Sequence, residues 1–195
     1  MKPTLTFLMG LRLALRRGLS LWTTHPNHRP VPTRIPRPGA APGSTCFISP
    51  QELPNLAEAC RIASRVRALA GSLCVPEAAV EDIDRICHEA IIAENAFPTP
   101  LGYSGFPASI CLSINEELCH GIPLGERRLV EGDIVSIDVS VFKNGFHGDC
   151  CGSFVVGKVD STAEEIVQVS REATYAGISK CVPGAVLSES VDAIK

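Results

Sequence analysis

The chain has 195 residues, 45% of them hydrophobic, which is enough to bury a core and too apolar for wholesale disorder. Its nine cysteines are an odd number with no CxxC and no paired Cys/His frame, which argues against a disulfide scaffold or a zinc finger and for scattered thiols in a reducing compartment. The formal charge of −3 conceals a division: seven basic residues and no acid precede Glu52, while 11 basic and 21 acidic residues follow, so the acidic folded part argues against nucleic-acid binding.

The first 22 residues, "MKPTLTFLMGLRLALRRGLSLW", place Leu8, Leu11, Leu15, Leu19 and Trp22 at spacings of three and four. Arg12 and Arg16 are also four apart, so a helix here is amphipathic and basic. The same arginines break its apolar run, leaving it too short to span a bilayer and too interrupted for a secretory signal. An arginine-bearing, acid-free start of this kind predicts a mitochondrial transit peptide, with the matrix as destination. The plain alternative is an unstructured basic tail. His25 to Ser44 then hold six prolines and two glycines, which predicts a linker with no core element. The division expected is presequence and linker over residues 1–48, and one domain over 49–195.

The domain opens at "SPQE", where Ser49 can cap a helix, Pro50 suits its first position and Glu52 can close a capping box. Leu56, Ala59, Cys60, Ala63, Val66, Leu69 and Ala70 continue with helical period towards Gly71. A second helix carries Val80, Ile83, Ile86, Cys87, Ala90 and Ile91 and stops before Pro98. Its His88 is expected to be a surface or satisfied histidine. Turn residues follow in "PTPLGYSGFP", then a strand in "SICLSIN" and a turn in "NEELCHGIP". After a hairpin, a third helix is predicted with a capping box from Ser161 to Glu164, ending at Pro183-Gly184, and a fourth begins at Ser188. The chain stops about two turns into that helix, the mark of a fragment or a shortened isoform.

The hairpin, "IVSIDVSVFKNGFHGDCCG", is the segment that carries chemistry. An Asn144-Gly145 turn of two residues sets Lys143 opposite Phe146 and Ser140 opposite Asp149. Asp138 then shares a face with Ser140, as a diagonal neighbour of Asp149, and His147 lies on that face too. Val135, Ile137, Val139 and Val141 point the other way, into a core. Two close carboxylates repel unless a proton or cation lies between them, and aspartate is depleted in strands, so the polar face reads as a metal cradle. Oxygen and nitrogen donors suit Mn, Fe, Co or Zn. The alternative is an exposed face whose aspartates only solubilise. His120, in "LCHGIP", can be a ligand, a proton donor or a structural residue.

"LGYSGFPASICLSINEELCHGIP" and "LVEGDIVSIDVSVFKNGFHGD" resemble type I methionine aminopeptidases of the mitochondrial branch, a likeness running from about Glu52 to Lys195. The resemblance implies an α+β chain forming the N-terminal half of a pita-bread fold, an antiparallel sheet with helices on one face. It implies removal of the initiator methionine from nascent or imported proteins, through water activated by two divalent metal ions (Co, Mn, Fe or Zn). By position, Asp138 and Asp149 match metal ligands, with Asp149 bridging. His120 matches the catalytic histidine beside the substrate amide, and Tyr103, Phe106 and Cys111 match the wall of the methionine pocket.

The departures are equally specific. The family's other ligands, one histidine and two glutamates, belong to the second half of the fold, and no histidine follows His147. Glu164, Glu165 and Glu172 fall on a predicted helix and do not replace them. Where the family usually has hydroxyl residues this chain has Cys150-Cys151, expected to be a packed pair. The chain alone is therefore expected to be inactive. A rival reading is a non-catalytic isoform with a binding or regulatory role. Another is a hydrolase of the same fold acting on X-Pro bonds or creatine-like substrates, against which "CHGIP" and "GYSGFP" argue. Partners implied are peptides and nascent chains beginning with Met, with no nucleic acid and no membrane span.

Residues 1–48 fused to a fluorescent reporter should give mitochondrial fluorescence; diffuse cytosolic signal would contradict the transit reading.

Overall fold

The computed structural model describes residues 28–39 and 48–195; the basic amphipathic start lies outside the described residues. Leu53–Ser72 form helix α1, whose apolar stripe buries Ala59, Ile62, Ala63, Val66 and Ala70. Half of the Ser49–Glu52 box forms: the Ser49 amide and hydroxyl donate to Glu52 Oε2 at 2.8 and 2.6 Å, while the Glu52 amide donates to the Ser49 carbonyl at 3.0 Å instead of to its hydroxyl. It closes a turn ahead of the helix, however, and regular structure begins at Leu53 with Pro54 in the first turn, where a missing N–H breaks no bond.

Helix α2, Val80–Ala93, buries Val80, Ile83, Cys87 and Ile91 against α1, together with two polar residues, Asp84 and His88. His88 is a satisfied histidine. His88 Nε2–H donates to the Pro30 carbonyl at 3.2 Å, which leaves Nδ1 to accept from the Ser109 hydroxyl at 2.8 Å. Burial, its largest influence, lowers its pKa and keeps the ring neutral.

Four strands form one antiparallel sheet: β1 Phe97–Pro98, β2 Cys111–Ile114, β3 Ile134–Lys143 and β4 Phe146–Val155. β4 pairs along one edge of β3, and β1 and β2 share the other. Asn144 and Gly145 both have positive φ, 51° and 88°, as a type I′ turn requires. The predicted register follows, with Lys143 opposite Phe146 and Ser140 opposite Asp149. Val135, Ile137, Val139 and Val141 are fully buried on the face that α1 and α2 cover. A clip joins the end of β2 to the start of β3: Asn115 Nδ2 donates to Asp133 at 2.8 Å and Asn115 Oδ1 accepts from the Ile134 amide at 2.9 Å.

Helix α3, Ser161–Ser179, is capped by Asp160, whose carboxylate accepts the Ala163 amide at 2.8 Å, one residue before the Ser161 cap the sequence predicts. Helix α4, Leu187–Ile194, packs on it through Ser190, which donates to the Gly177 carbonyl at 2.9 Å. Ile166, Val169, Ile178 and Leu187 on this pair are exposed. The chain is thus α+β, with α1 and α2 on one face of the sheet. No helix among the described residues is long and apolar enough to cross a membrane.

One expectation is corrected. The Pro-rich segment predicted to contribute nothing to the core does contribute over residues 28–39. Ile35 is 3% exposed, Arg29 pairs with Asp84 at 3.0 Å, and the Arg37 guanidinium lies 5.7 Å from the Phe97 ring centroid. Proline stiffens a chain and removes donors, so such a run is suited to an extended strap as well as to a spacer.

Gly148 is where α1 meets the sheet most closely: a Cβ there would lie 2.2 Å from the Ala59 carbonyl carbon. Gly148→Ala should destabilise the chain by roughly 1–3 kcal/mol in urea unfolding. Gly152→Ala, whose Cβ meets only the flexible Arg67 side chain at 3.2 Å, should cost much less.

Candidate metal centre

The two faces of the sheet divide by alternation. Ser136, Asp138 and Ser140 of β3 share the face opposite the core with His147, Asp149, Cys151 and Ser153 of β4, and with Cys111 of β2. Asp138 has two direct cross-strand partners, Cys111 on one side and Cys151 on the other, and Asp149 is its diagonal neighbour. The carboxyls are close enough to hydrogen-bond each other. Burial first, and the Asp149 charge and hydrogen bond next, push Asp138 up to about 6. His120 acts on Asp138 in the opposite direction, so its ring stands within electrostatic reach of the pair.

His120 is exposed and has φ of 55°, the left-handed region that non-glycine residues enter at a cost of roughly 1–2 kcal/mol. Its neighbour explains how the turn is held. A Cβ on Gly121 would lie 2.2 Å from the Leu112 carbonyl oxygen, so only glycine lets the turn lie against β2. There the Leu112 amide donates to the Gly121 carbonyl and the Gly121 amide to Ser113 Oγ, both at 3.0 Å. Glu117 stiffens the approach by accepting the Ile114 amide at 2.9 Å.

The expected pocket residues lie on the segment leading into β2. Hydrogen bonds from Gly102 to Phe106 at 2.8 Å and from Tyr103 to Pro100 at 2.9 Å fold it tightly. Phe106, Ala108 and Cys111 form a small apolar cluster separate from the main core, and Tyr103 is half-buried on the same loop. Burial, with the two aspartates adding to it, pushes the Cys111 thiol up to about 12, so it is a neutral apolar wall. Thr99 Oγ1 shares a hydrogen bond with His147 Nδ1 at 3.0 Å, tying the loop to the far end of the polar face.

Cys150 and Cys151 are not a packed pair. Cys150 points to the core side and packs against it, whereas Cys151 is exposed on the aspartate face. Successive strand residues diverge, and the register that places Asp149 on the polar face places Cys151 there too. Inspection of the hairpin alone would have found it. Asp84 was also legible: it interrupts the apolar stripe of α2, four residues after Val80 and seven before Ile91.

Two carboxyls pressed together on a half-buried floor are chemistry that a divalent cation relieves, so Asp138 and Asp149 fit as part of a metal site. Among the described residues no three His, Cys, Asp or Glu side chains converge on one point.

The sheet is backed by helices on one face and carries Asp138 and Asp149 on the other. The chain belongs to metallopeptidase family M24, which matches residues 54–195. It is 41% identical over 167 residues to the mitochondrial methionine aminopeptidase 1D of Homo sapiens, covering 82% of this chain and 50% of that protein. It is 38% identical to methionine aminopeptidase 2 of Mycobacterium tuberculosis, covering 92% of this chain and 64% of that one. The crystal structure of methionine aminopeptidase from Rickettsia prowazekii superposes with a TM-score of 0.72 at 35% identity, over 75% of this chain and 59% of that one. The fold is therefore the N-terminal half of a pita-bread fold, and the chain spans about half the length of the human relative.

In the metal-free chain Asp138 should titrate near pH 6 by carboxyl NMR, and Asp149→Asn should lower that midpoint by removing a neighbouring negative charge. The folded chain holds this proton more tightly than an unfolded one, whose aspartates titrate near about 3.9. Metal-free stability should accordingly fall as pH rises from about 4 to about 6.

Proposed function

We propose that this chain is the first half of a methionine aminopeptidase, supplying two metal-ligand aspartates, the substrate-facing histidine and the methionine pocket. The observation that carries the reading is the shared face of Asp138 and Asp149, diagonal neighbours across β3 and β4. The names of the human and M. tuberculosis relatives support the same activity.

Asp138 and Asp149 would help to hold divalent metal. Bound ions supply a Lewis acid and a water of lowered pKa. Tyr103, Phe106 and Cys111 receive an unbranched, adaptable methionine side chain, which fits an apolar wall without a charged group. His120, held in its turn by Gly121, hydrogen-bonds the substrate amide and moves a proton or steadies charge on the carbonyl oxygen. A small second residue is favoured. The human relative is named mitochondrial, in line with the basic, acid-free start, so the protein acts on N-termini beginning with Met in the mitochondrion, the matrix being its site.

Two aspartates do not fix two ions in one geometry, so the 195-residue chain does not turn over by itself. Incubated with a Met-Ala-Ser peptide and Mn, Co, Fe or Zn, it should release no free methionine. A longer form carrying a histidine and two glutamates beyond Lys195 should release it. In that form Asp138→Asn or Asp149→Asn should deplete bound metal, whereas His120→Ala should retain metal and lose about 10²–10⁴-fold in turnover. Metal-dependent release by the 195-residue chain, abolished by Asp149→Asn, would show that the half-fold is catalytic alone.

A further inference from the structure

The described strap, residues 28–39, reaches the pocket segment by three routes. Asp84 on α2 is 1% exposed, and its Oδ1 accepts the amides of Ser109 at 2.8 Å and Ile110 at 3.1 Å. Its Oδ2 accepts Arg29 Nε at 3.0 Å, and Arg29 Nη2 also donates to the Glu81 carbonyl at 3.1 Å. A carboxylate this buried needs a cation, and Arg29 of the strap provides it. His88 links the Pro30 carbonyl to the Ser109 hydroxyl. His28 Nε2 donates to the Phe106 carbonyl at 3.0 Å, an oxygen that the Gly102 amide also uses. All three routes end between Phe106 and Ile110, the stretch that seats Phe106, Ala108 and Cys111.

We infer that residues 28–39 are a positioning strap for this apolar wall, with Arg29 acting through Asp84, and that the strap belongs to the mature protein, so that any import signal ends before His28. That the wall receives methionine rests on the proposed function; the strap's hold on it does not.

Amide hydrogen exchange on the 195-residue chain tests the positioning directly. Arg29→Met should speed exchange at Ser109 and Ile110 at least tenfold while Ile137, in the centre of β3, keeps its protection. Arg29→Lys, which retains the charge, should preserve most of the protection. Combining Arg29→Met with Asp84→Asn removes the uncompensated buried charge while keeping an acceptor oxygen, so this double variant should fold and recover protection relative to Arg29→Met. Unchanged exchange at both amides in Arg29→Met, or equal acceleration everywhere without recovery in the double variant, would overturn the strap. The N-terminus of the protein isolated from mitochondria should lie at or before His28; one beyond Gly39 would overturn its retention. In a longer, active form Arg29→Met should raise KM for Met peptides more than tenfold with kcat within about threefold, and an unchanged KM would overturn the link to the pocket. Altered exchange in a protein whose longer form releases no methionine would count against the proposed function and leave the strap standing.

Discussion

The polar site depends on the register between β3 and β4. With the Asn144-Gly145 turn in its type I′ geometry, Asp138 and Asp149 fall on one face and Val135, Ile137, Val139 and Val141 on the other. A slip of one residue would send the aspartates into the core and the valines into water. The hydrophobic pattern and the turn therefore specify the same register, each making the alternative costly. Burial and the neighbouring Asp149 raise the Asp138 pKa, so the pair favours the folded chain less as pH rises from about 4 to about 6.

The same division of labour extends to the rest of the site. The core face is held by α1, which approaches near enough at Gly148 to exclude any side chain there. The polar face is shaped by loops, and each is tied back to a regular element: the His120 turn to β2 through Gly121 and Ser113, and the pocket segment to α2 through Asp84. These ties are backbone amides accepted by side-chain oxygens, which fix direction as well as distance. Buried Asp84 has its charge balanced by a residue 55 positions earlier in the chain, so a segment of unpromising composition helps to hold the stretch from Ser109 to Ile110.

The α3–α4 pair differs from the rest. α3 is capped by Asp160 and the two helices pack on each other, yet Ile166, Val169, Ile178 and Leu187 remain in contact with solvent. The stretch matched to the human relative makes up about half of that protein's length.

Local pattern was enough to place α1, α2, the hairpin with its register and the shared face of the two aspartates, because turn chemistry and residue alternation act over a few positions. It was not enough for contacts between residues distant in sequence. Whether His25 to Ser44 is a spacer or a strap depends on whether Ile35 finds a hollow and Arg29 a buried carboxylate, and both lie on elements formed later in the chain. Cys150 and Cys151 look like a pair in sequence, and alternation separates them. Capping went the same way on a smaller scale: Asp160 and Ser161 are both competent caps, and the geometry of the turn leaving β4 selected Asp160. Sequence determined what is local, the periodicity, the turn and the paired charges. Tertiary structure decided which surfaces would be neighbours, because burial and long-range ion pairing exist only once the chain has closed on itself.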